Sequence, residues 1–404
     1  MPAEAAVTGI GMITPAGGNA ASTWDGVCAG RSLARRDPVL AGLPVDLSCP
    51  VDLDPEAMLG RRLARRLDRF CQLALVAARQ AVADAGLSPA TWDADRIGVV
   101  LGVSCNSMET YVREFTLLGE ERPHLVSPLA LPRSVASMAA AEVALDLGVR
   151  GPNFTVTSAC ASGATALGVA RGLIASGTCD IVLAGGSESG RSRMAATCFT
   201  QMRALSRGGP DGASRPFDAD RDGFVLSEGA AVLVLERPDR APARGARTRA
   251  LLRGFGATSD AHHPVAPHPE GRGAESALRA ALADAGCAPS DVGHVNAHGT
   301  STQAGDTAEA RALLRVFDGT PPPVTAPKGV LGHSLGAAGA IEAALTVLTL
   351  EQQLVPPTAN LSRQDEGLAL DVVTGAPRPV ALSVAASNSF GFGGQNAALI
   401  FTTP

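Results

Sequence analysis

Residues 154–163 read Phe154-Thr155-Val156-Thr157-Ser158-Ala159-Cys160-Ala161-Ser162-Gly163, and they decide the fold class. Phe154 to Thr157 is rich in β-branched and aromatic side chains and reads as a strand. Small, helix-compatible residues follow, and Gly163 to Ala175 reads as a helix. Asp180-Ile181-Val182-Leu183-Ala184 is then a second apolar strand. Strand, sharp turn, helix and strand in succession predict α/β layers around mixed or parallel sheets.

The same rhythm extends in both directions. Ile97 to Leu101 reads as a buried strand. Asp68 to Ala85 reads as a helix, with Phe70, Leu73, Val76, Ala77 and Ala81 at helical spacing and a stop at Gly86. Ala230 to Leu235 is another strand. Pro238 to Arg249 is rich in Arg, Ala and Pro without apolar periodicity, and reads as a surface connection between two halves, 1–246 and 247–404. The second half offers a strand from Ala250 to Gly254, a helix from Gly273 to Ala285 and a strand at Val292 to Asn296. A helix from Asp306 to Phe317, a glycine-dense turn at Gly332 to Gly339 leading into a helix, and strands at Val384 to Ala386 and Ala397 to Phe401 complete it. No exact repeat is visible; the halves share only a rhythm of elements.

Composition narrows the function. A chain of 404 residues that is 46% hydrophobic and 18% charged can bury a large core, which excludes intrinsic disorder. The net charge of −5 argues against general nucleic-acid binding. Eight Cys are scattered without a CxxC pair, so no zinc ribbon or thioredoxin-type motif is expected. With no basic-then-apolar start and no long apolar run, the expected location is a reducing cytoplasm, with most thiols as small core residues.

Cys160 is expected to be different. It sits on a strand-to-helix turn, where the partial positive charge of a helix N-terminus can stabilise a thiolate. Backbone N–H groups at such a turn can also face an oxyanion. Taken alone, the run fits a buried structural Cys as well. His298, in Asn296-Ala297-His298-Gly299-Thr300-Ser301-Thr302, follows an apolar strand and suits either a catalytic or a turn-stabilising role. His333, in Lys328-Gly329-Val330-Leu331-Gly332-His333-Ser334-Leu335-Gly336, lies among small residues that imply close backbone approach to a helix or a ligand. Phe390-Gly391-Phe392-Gly393-Gly394-Gln395-Asn396 is a glycine-rich loop with two aromatics and no following βαβ unit, so it is not a dinucleotide loop.

Together, and with Val7-Thr8-Gly9-Ile10-Gly11, Arg65-Arg66-Leu67-Asp68-Arg69-Phe70, Ser214-Arg215-Pro216-Phe217-Asp218 and Arg221-Asp222-Gly223-Phe224, these motifs resemble the elongating β-ketoacyl-acyl carrier protein synthases along nearly the whole chain. The resemblance implies a thiolase fold: two similar halves in an α-β-α-β-α arrangement. It implies that Cys160 accepts an acyl chain as a thioester. His298 and His333 would bind the malonyl thioester oxygen during decarboxylation, and Lys328 with Glu342 would fix their orientation. The N–H groups of Cys160 and Phe392 would form an oxyanion hole, with Phe392 as gate. Thr300 and Thr302 would bond the pantetheine arm. Arg61, Arg62, Arg65, Arg66, Arg69 and Arg203 would face the acidic carrier protein. No metal or redox cofactor is implied, since substrates ride on the 4′-phosphopantetheine of acyl carrier protein. The expected assembly is a homodimer, or a heterodimer with a paralogous subunit.

Two His in the matching motifs favour decarboxylative elongation over the Cys-His-Asn pattern of initiating synthases and the Cys-His-Cys pattern of thiolases. The presence of Cys160 argues against a non-catalytic chain-length or scaffold subunit. Within the acyl pocket, Phe199 matches the family, but Cys105 and Ala130 stand where a branched aliphatic and an aromatic are usual. Both are smaller, so a deeper pocket is expected unless Met108 or Met138 refills it. Gln395 replaces a more usual Thr beside the gate, with no physical account from sequence.

Overall fold

A computed structural model describes residues 4–404. The elements that carry the site are strand β1 (Ala5–Ile13), helix α1 (Arg69–Asp84), β2 (Ile97–Gly102), α2 (Met138–Leu147), β3 (Asn153–Val156), α3 (Ser162–Ala175), β4 (Ile181–Ser189) and β5 (Leu226–Glu236). They continue as β6 (Ala250–Ser259), α4 (Arg272–Ala285), β7 (His294–Asn296), α5 (Gln303–Val316), β8 (Val324–Thr325), α6 (Ala338–Gln352), β9 (Val384–Gly391) and β10 (Gln395–Thr402). The strands join in the order β8-β7-β9-β10-β6-β1-β5-β4-β2-β3.

That order is one pattern used twice. In the first half β1 and β4 flank β5 antiparallel, and β2 pairs parallel with both β4 and β3. In the second, β6 and β9 flank β10 antiparallel, and β7 pairs parallel with both β9 and β8. The two runs meet where Ala5, Ala6 and Val7 pair antiparallel with Leu252, Leu251 and Ala250.

The two similar halves expected from sequence, where only a rhythm of elements was visible, share a short motif as well. Ala81-Val82-Ala83-Asp84-Ala85-Gly86 at the end of α1 recurs as Ala281-Leu282-Ala283-Asp284-Ala285-Gly286 at the end of α4. Asp84 Oδ2 accepts the N–H of Ile10 at 2.8 Å, and Asp284 Oδ2 accepts that of Phe255 at 2.9 Å. A side chain on Gly11 would strike the backbone of Ala77 and Ala81, and one on Gly256 the backbone of Ala277 and Ala281. Helix and sheet therefore approach closely in both halves because Gly faces Ala at the same two places.

Two helices lie between the sheet runs. Every residue of α6 from Ala338 to Leu350 is buried, as expected of a helix that is apolar all round and polar only at Glu342, Thr346 and Thr349. Those two hydroxyls bond back to carbonyls of their own helix, of Glu342 and Leu345, so both are satisfied within it. Helix α3 packs beside it with Ala164, Leu167 and Ala170 in the same core. Truncating Leu345 there would cost about 2–5 kcal/mol.

The connection from Pro238 to Arg249 holds a single helical turn, Arg240–Ala243, and is tied down. Arg244 pairs with buried Glu236, and Arg249 bonds Asp84 and Glu351, both at 2.7 Å. All eight Cys are unbridged; Cys49, Cys71, Cys160 and Cys179 are buried and the rest half-buried. Among the described residues no helix is long and apolar enough to cross a membrane.

Candidate active site

The loops that leave β3, β7 and β8 and the turn between β9 and β10 converge on one cavity of about 240 Å³. Cys160, His298, His333, Phe392, Thr300 and Thr302 all line it. The cysteine is presented by a strained step: Ala159 takes a left-handed φ of 49°, which turns the chain sharply from β3 into α3. Ser162 fixes this turn, accepting the N–H of Ser158 at 2.9 Å and donating to the Ala159 carbonyl at 2.6 Å.

The thiol is not the stabilised thiolate expected from the helix terminus. Burial pushes Cys160 up to about 12, against the opposing pull of the Lys328 charge and of the Phe392 N–H that donates to its sulfur. Desolvation outweighs the terminal dipole in this apolar setting of Leu205, Phe224, Leu226 and Leu335. The resting nucleophile is a thiol. The same Phe392 N–H is one of the two expected oxyanion donors, so the gate residue already touches the sulfur.

The two imidazoles stand perpendicular, with ring centroids 5.4 Å apart. Burial, reinforced by the Lys328 charge, holds both well below the ordinary histidine range, so both are neutral. Lys328 Nζ lies 3.3 Å from His298 Nδ1, donates to the His298 carbonyl at 2.6 Å, and bonds Glu342. An ammonium has only donors, so His298 Nδ1 accepts and its proton sits on Nε2. Lys328 thus sets one histidine; His333 packs edge-on to Phe224, with a buried Nδ1 that meets no protein partner. Burial raises Glu342 to about 7, with Lys328 opposing.

Two carboxylates that sequence reasoning passed over hold the His298 loop. Glu309 accepts the N–H groups of His298 and Gly299, each at 2.8 Å, and Asp306 accepts those of Phe217 and Ser301 at 2.8 and 3.0 Å. Both are buried on α5 three residues apart, so one helix face anchors the loop. The available signal was two acids on the inward face of an otherwise Ala-rich helix. Lys328 had a signal as well: it is the only lysine in the chain, against 33 arginines. Where any cation serves, this sequence uses Arg; a compact ammonium is kept where a guanidinium fork would not fit between His298 and Glu342.

Thr302 caps α5, its hydroxyl accepting the Gly305 N–H at 3.1 Å, and lies 2.9 Å from the Thr300 hydroxyl. Gln395 Nε2 donates to the Phe392 carbonyl at 3.3 Å and so folds over the gate turn. Phe199 packs 6.1 Å from Phe392 and 5.3 Å from Phe224. Cys105 and Ala130 do not line the cavity. A separate small space of about 10 Å³ lies beside Met108 and Glu188.

The basic cluster divides. Arg203 is exposed at the cavity wall, and Arg61 and Arg62 are exposed on the helix Arg61–Arg66. Arg65 pairs with Glu56 at 3.0 Å and Arg66 with Glu142, both partly exposed. Arg69 does not belong with them. Its side chain is 17% exposed and is spent on Glu228, at 3.0 Å, and on the Val51 carbonyl. The neighbouring Arg191 bonds the same Glu228 as well as Asp37. Arg69 is an interior strut, because a half-buried guanidinium must spend its donors inside.

Fold and site together define a condensing enzyme of the thiolase fold, with Cys160 in one half and His298 and His333 in the other. The model of the β-ketoacyl synthase N-terminal domain matches residues 3–241, and that of the C-terminal domain residues 249–362; the chain belongs to the β-ketoacyl synthase family. It is 40% identical over 404 residues to 3-oxoacyl-[acyl-carrier-protein] synthase 2 of Synechocystis sp., covering 98% of this chain and 97% of that one. Among solved structures it is similar to a β-ketoacyl synthase from Burkholderia phymatum, with TM-score 0.93 and 36% identity. It is also similar to the ishigamide ketosynthase/chain length factor, with TM-score 0.93 and 34% identity; both comparisons cover all of each chain.

Proposed function

We propose that this protein elongates an acyl chain by decarboxylative condensation with malonyl-acyl carrier protein, in fatty acid or discrete polyketide synthesis. The observation that carries the reading is the shared cavity: a thiol and two neutral imidazoles face it, and Lys328 fixes the tautomer of one of them. In the first step the Cys160 sulfur attacks the carrier thioester and the carrier thiol departs with the proton, an exchange between like leaving groups. In the second, malonyl loses CO₂, and the negative charge passes to its thioester oxygen, which the Nε2–H of His298 and a ring N–H of His333 stabilise. The resulting carbanion attacks the acyl carbonyl on Cys160. The N–H groups of Cys160 and Phe392 hold that oxyanion until the Cys160 sulfur leaves and regains a proton.

Thr300 and Thr302 contact the pantetheine arm, and Phe392 with Gln395 gates its entry. Arg61, Arg62 and Arg203, with Arg65 and Arg66 at the margin, steer the acidic carrier, a rim role that acts mainly on association rate. Residues 1–246 and 247–404 are the two thiolase-like halves. Phe199 bounds the near end of the acyl site; Cys105 and Ala130 bound its far end, completed by a second subunit. Support for such a subunit comes from the unpaired outer edge of β3, with Phe154 exposed on it, and from exposed Val112, Phe115 and Leu118 on the helix Met108–Gly119. A cytoplasmic setting fits eight free thiols. A thiol-reactive acyl mimic should modify Cys160 alone. Modification at other thiols with Cys160 untouched would favour a non-catalytic carrier-binding subunit.

A further inference from the structure

Glu188 has no part in the reaction just described, yet it lies behind the nucleophile. It is the penultimate residue of β4, 3% exposed. Its carboxylate accepts the N–H of Ser104 at 2.7 Å and the Ser104 hydroxyl, and also the N–H groups of Cys105 and Gly336. These donors come from two different loops. Ser104 and Cys105 follow β2, on the side proposed above for the far end of the acyl chain. Gly336 lies in the turn Leu335–Ala337 between His333 and α6. That turn is tight: Leu335 has a left-handed φ of 50°, and a side chain on Gly336 would lie 2.5 Å from the Ser104 nitrogen and 2.8 Å from the Glu188 carboxylate. Leu335 itself packs in the apolar cluster that holds Cys160.

We propose that Glu188 is a positioning residue, whose single carboxylate clamps the Ser104–Cys105 wall to the Leu335–Ala337 turn and so holds the acyl side and the His333 side against Cys160. The clamp is also a charge. The ionisable groups that act on the Cys160 thiol are Lys328, which favours the thiolate, and Cys105 and Glu188, which oppose it; His298 and His333 are neutral. Arg69 and Glu109 share the small space next to Glu188, but Arg69 is committed to Glu228. Burial raises Glu188 to about 7 against the pull of its four donors, so it ionises near neutrality. Above that point its charge adds to the effect of burial in keeping Cys160 in the thiol form, in which it resists adventitious electrophiles until an acyl carrier enters.

This rests on Cys160 being the nucleophile, but the test does not need turnover. It reads the rate at which iodoacetamide alkylates Cys160, located by peptide mapping, from neutral to alkaline pH, in three variants of the full chain. Glu188→Gln removes the charge and should move the alkylation profile to lower pH, with about tenfold faster alkylation at a given pH for each unit of displacement. Ser104→Ala withdraws one donor, leaves Glu188 less ionised, and should move the profile the same way by less. Glu188→Asp keeps the charge but shortens the reach; it should restore the parental profile while condensation kcat stays low and KM for the carrier substrate is unchanged. A parental profile in both Glu188→Gln and Ser104→Ala overturns the proposal. Should Glu188→Gln fail to fold, Ser104→Ala decides alone. Loss of condensation with a displaced profile would count against the nucleophile assignment only if Cys160→Ala still condensed.

Discussion

In each half the loop after the edge strand runs into a buried central helix. β3 leads through Cys160 into α3, and β8 leads through Lys328 and His333 into α6. The loops after the adjacent strands correspond as well: β2 leads to Ser104 and Cys105, β7 to His298. Scaffold positions are shared down to Asp84 and Asp284, yet the loops differ in chemistry. The first-half loop sets its thiol among Leu205, Phe224, Leu226 and Leu335, and burial is the largest influence on its protonation. The second-half loops are held by buried polar groups instead: Glu309 and Asp306 of α5 anchor the His298 loop, and Lys328, paired with Glu342 of α6, orients the neutral His298 imidazole. A duplicated frame places two loop pairs opposite each other, and in the proposed reaction one pair carries out covalent attack while the other stabilises charge.

The sharpest break between the halves should come from Cys160→Ala. Condensation falls below detection, while the second half still decarboxylates malonyl-carrier protein, a separation that CO₂ release and product formation measured together will show. Next, His298→Ala or His333→Ala removes one oxyanion donor and should lower decarboxylation by about 10²–10³. Single-turnover acylation of Cys160 should fall less; equal losses would mean the halves do not divide the steps.

Lys328→Met leaves Glu342 buried without its cation and should cost about 3–5 kcal/mol in denaturant unfolding. Sign matters here. Glu342 is already raised to about 7 in the native chain, and without Lys328 it rises further. The parental Glu342 releases its proton above about 7 while the variant's keeps it, so the part of the deficit that comes from this group grows as pH rises above about 7 and is absent below it. Gly11→Ala and Gly256→Ala should each cost about 1–3 kcal/mol by overpacking α1 or α4, and by similar amounts, since the two contacts are equivalent. A large loss in one and none in the other would contradict the structural repeat. The smallest effect is expected from Arg61→Glu with Arg62→Glu: slower, less salt-sensitive association with the carrier protein, with small thioester substrates unaffected.

Much of this was legible in the chain. The α1 helix expected over 68–85 spans Arg69–Asp84, and α3, expected from Gly163, begins at Ser162. Strands were found but cut short, as at β9, read as Val384 to Ala386 and observed to Gly391. Polar Ser387, Asn388 and Ser389 hid its continuation; they are buried, Asn388 bonding Glu309 of α5 and Ser389 lying against Gly339 of α6. The repeat escaped notice because little beyond the Gly and Ala contacts and the Ala-Asp-Ala-Gly ends of α1 and α4 is retained, while apolar positions around them vary. The depressed thiol expected at Cys160 failed because a helix terminus is visible in sequence and burial by Phe224 and Leu226, from β5 and the loop before it, is not. Arg69 misled for the same reason: it is adjacent to exposed arginines in sequence but faces Glu228 in space.

The central claim is that one half holds the growing chain while the other makes the carbanion. Its most direct test is a stepwise single turnover followed by intact-mass and peptide mapping. Acyl-carrier protein alone should place one acyl group per chain, on Cys160. Adding malonyl-carrier protein should then release it as a carrier-bound β-ketoacyl product lengthened by two carbons, with the thiol restored. An acyl group found elsewhere, or discharge of the Cys160 thioester as free acid with no lengthened product, would contradict the account.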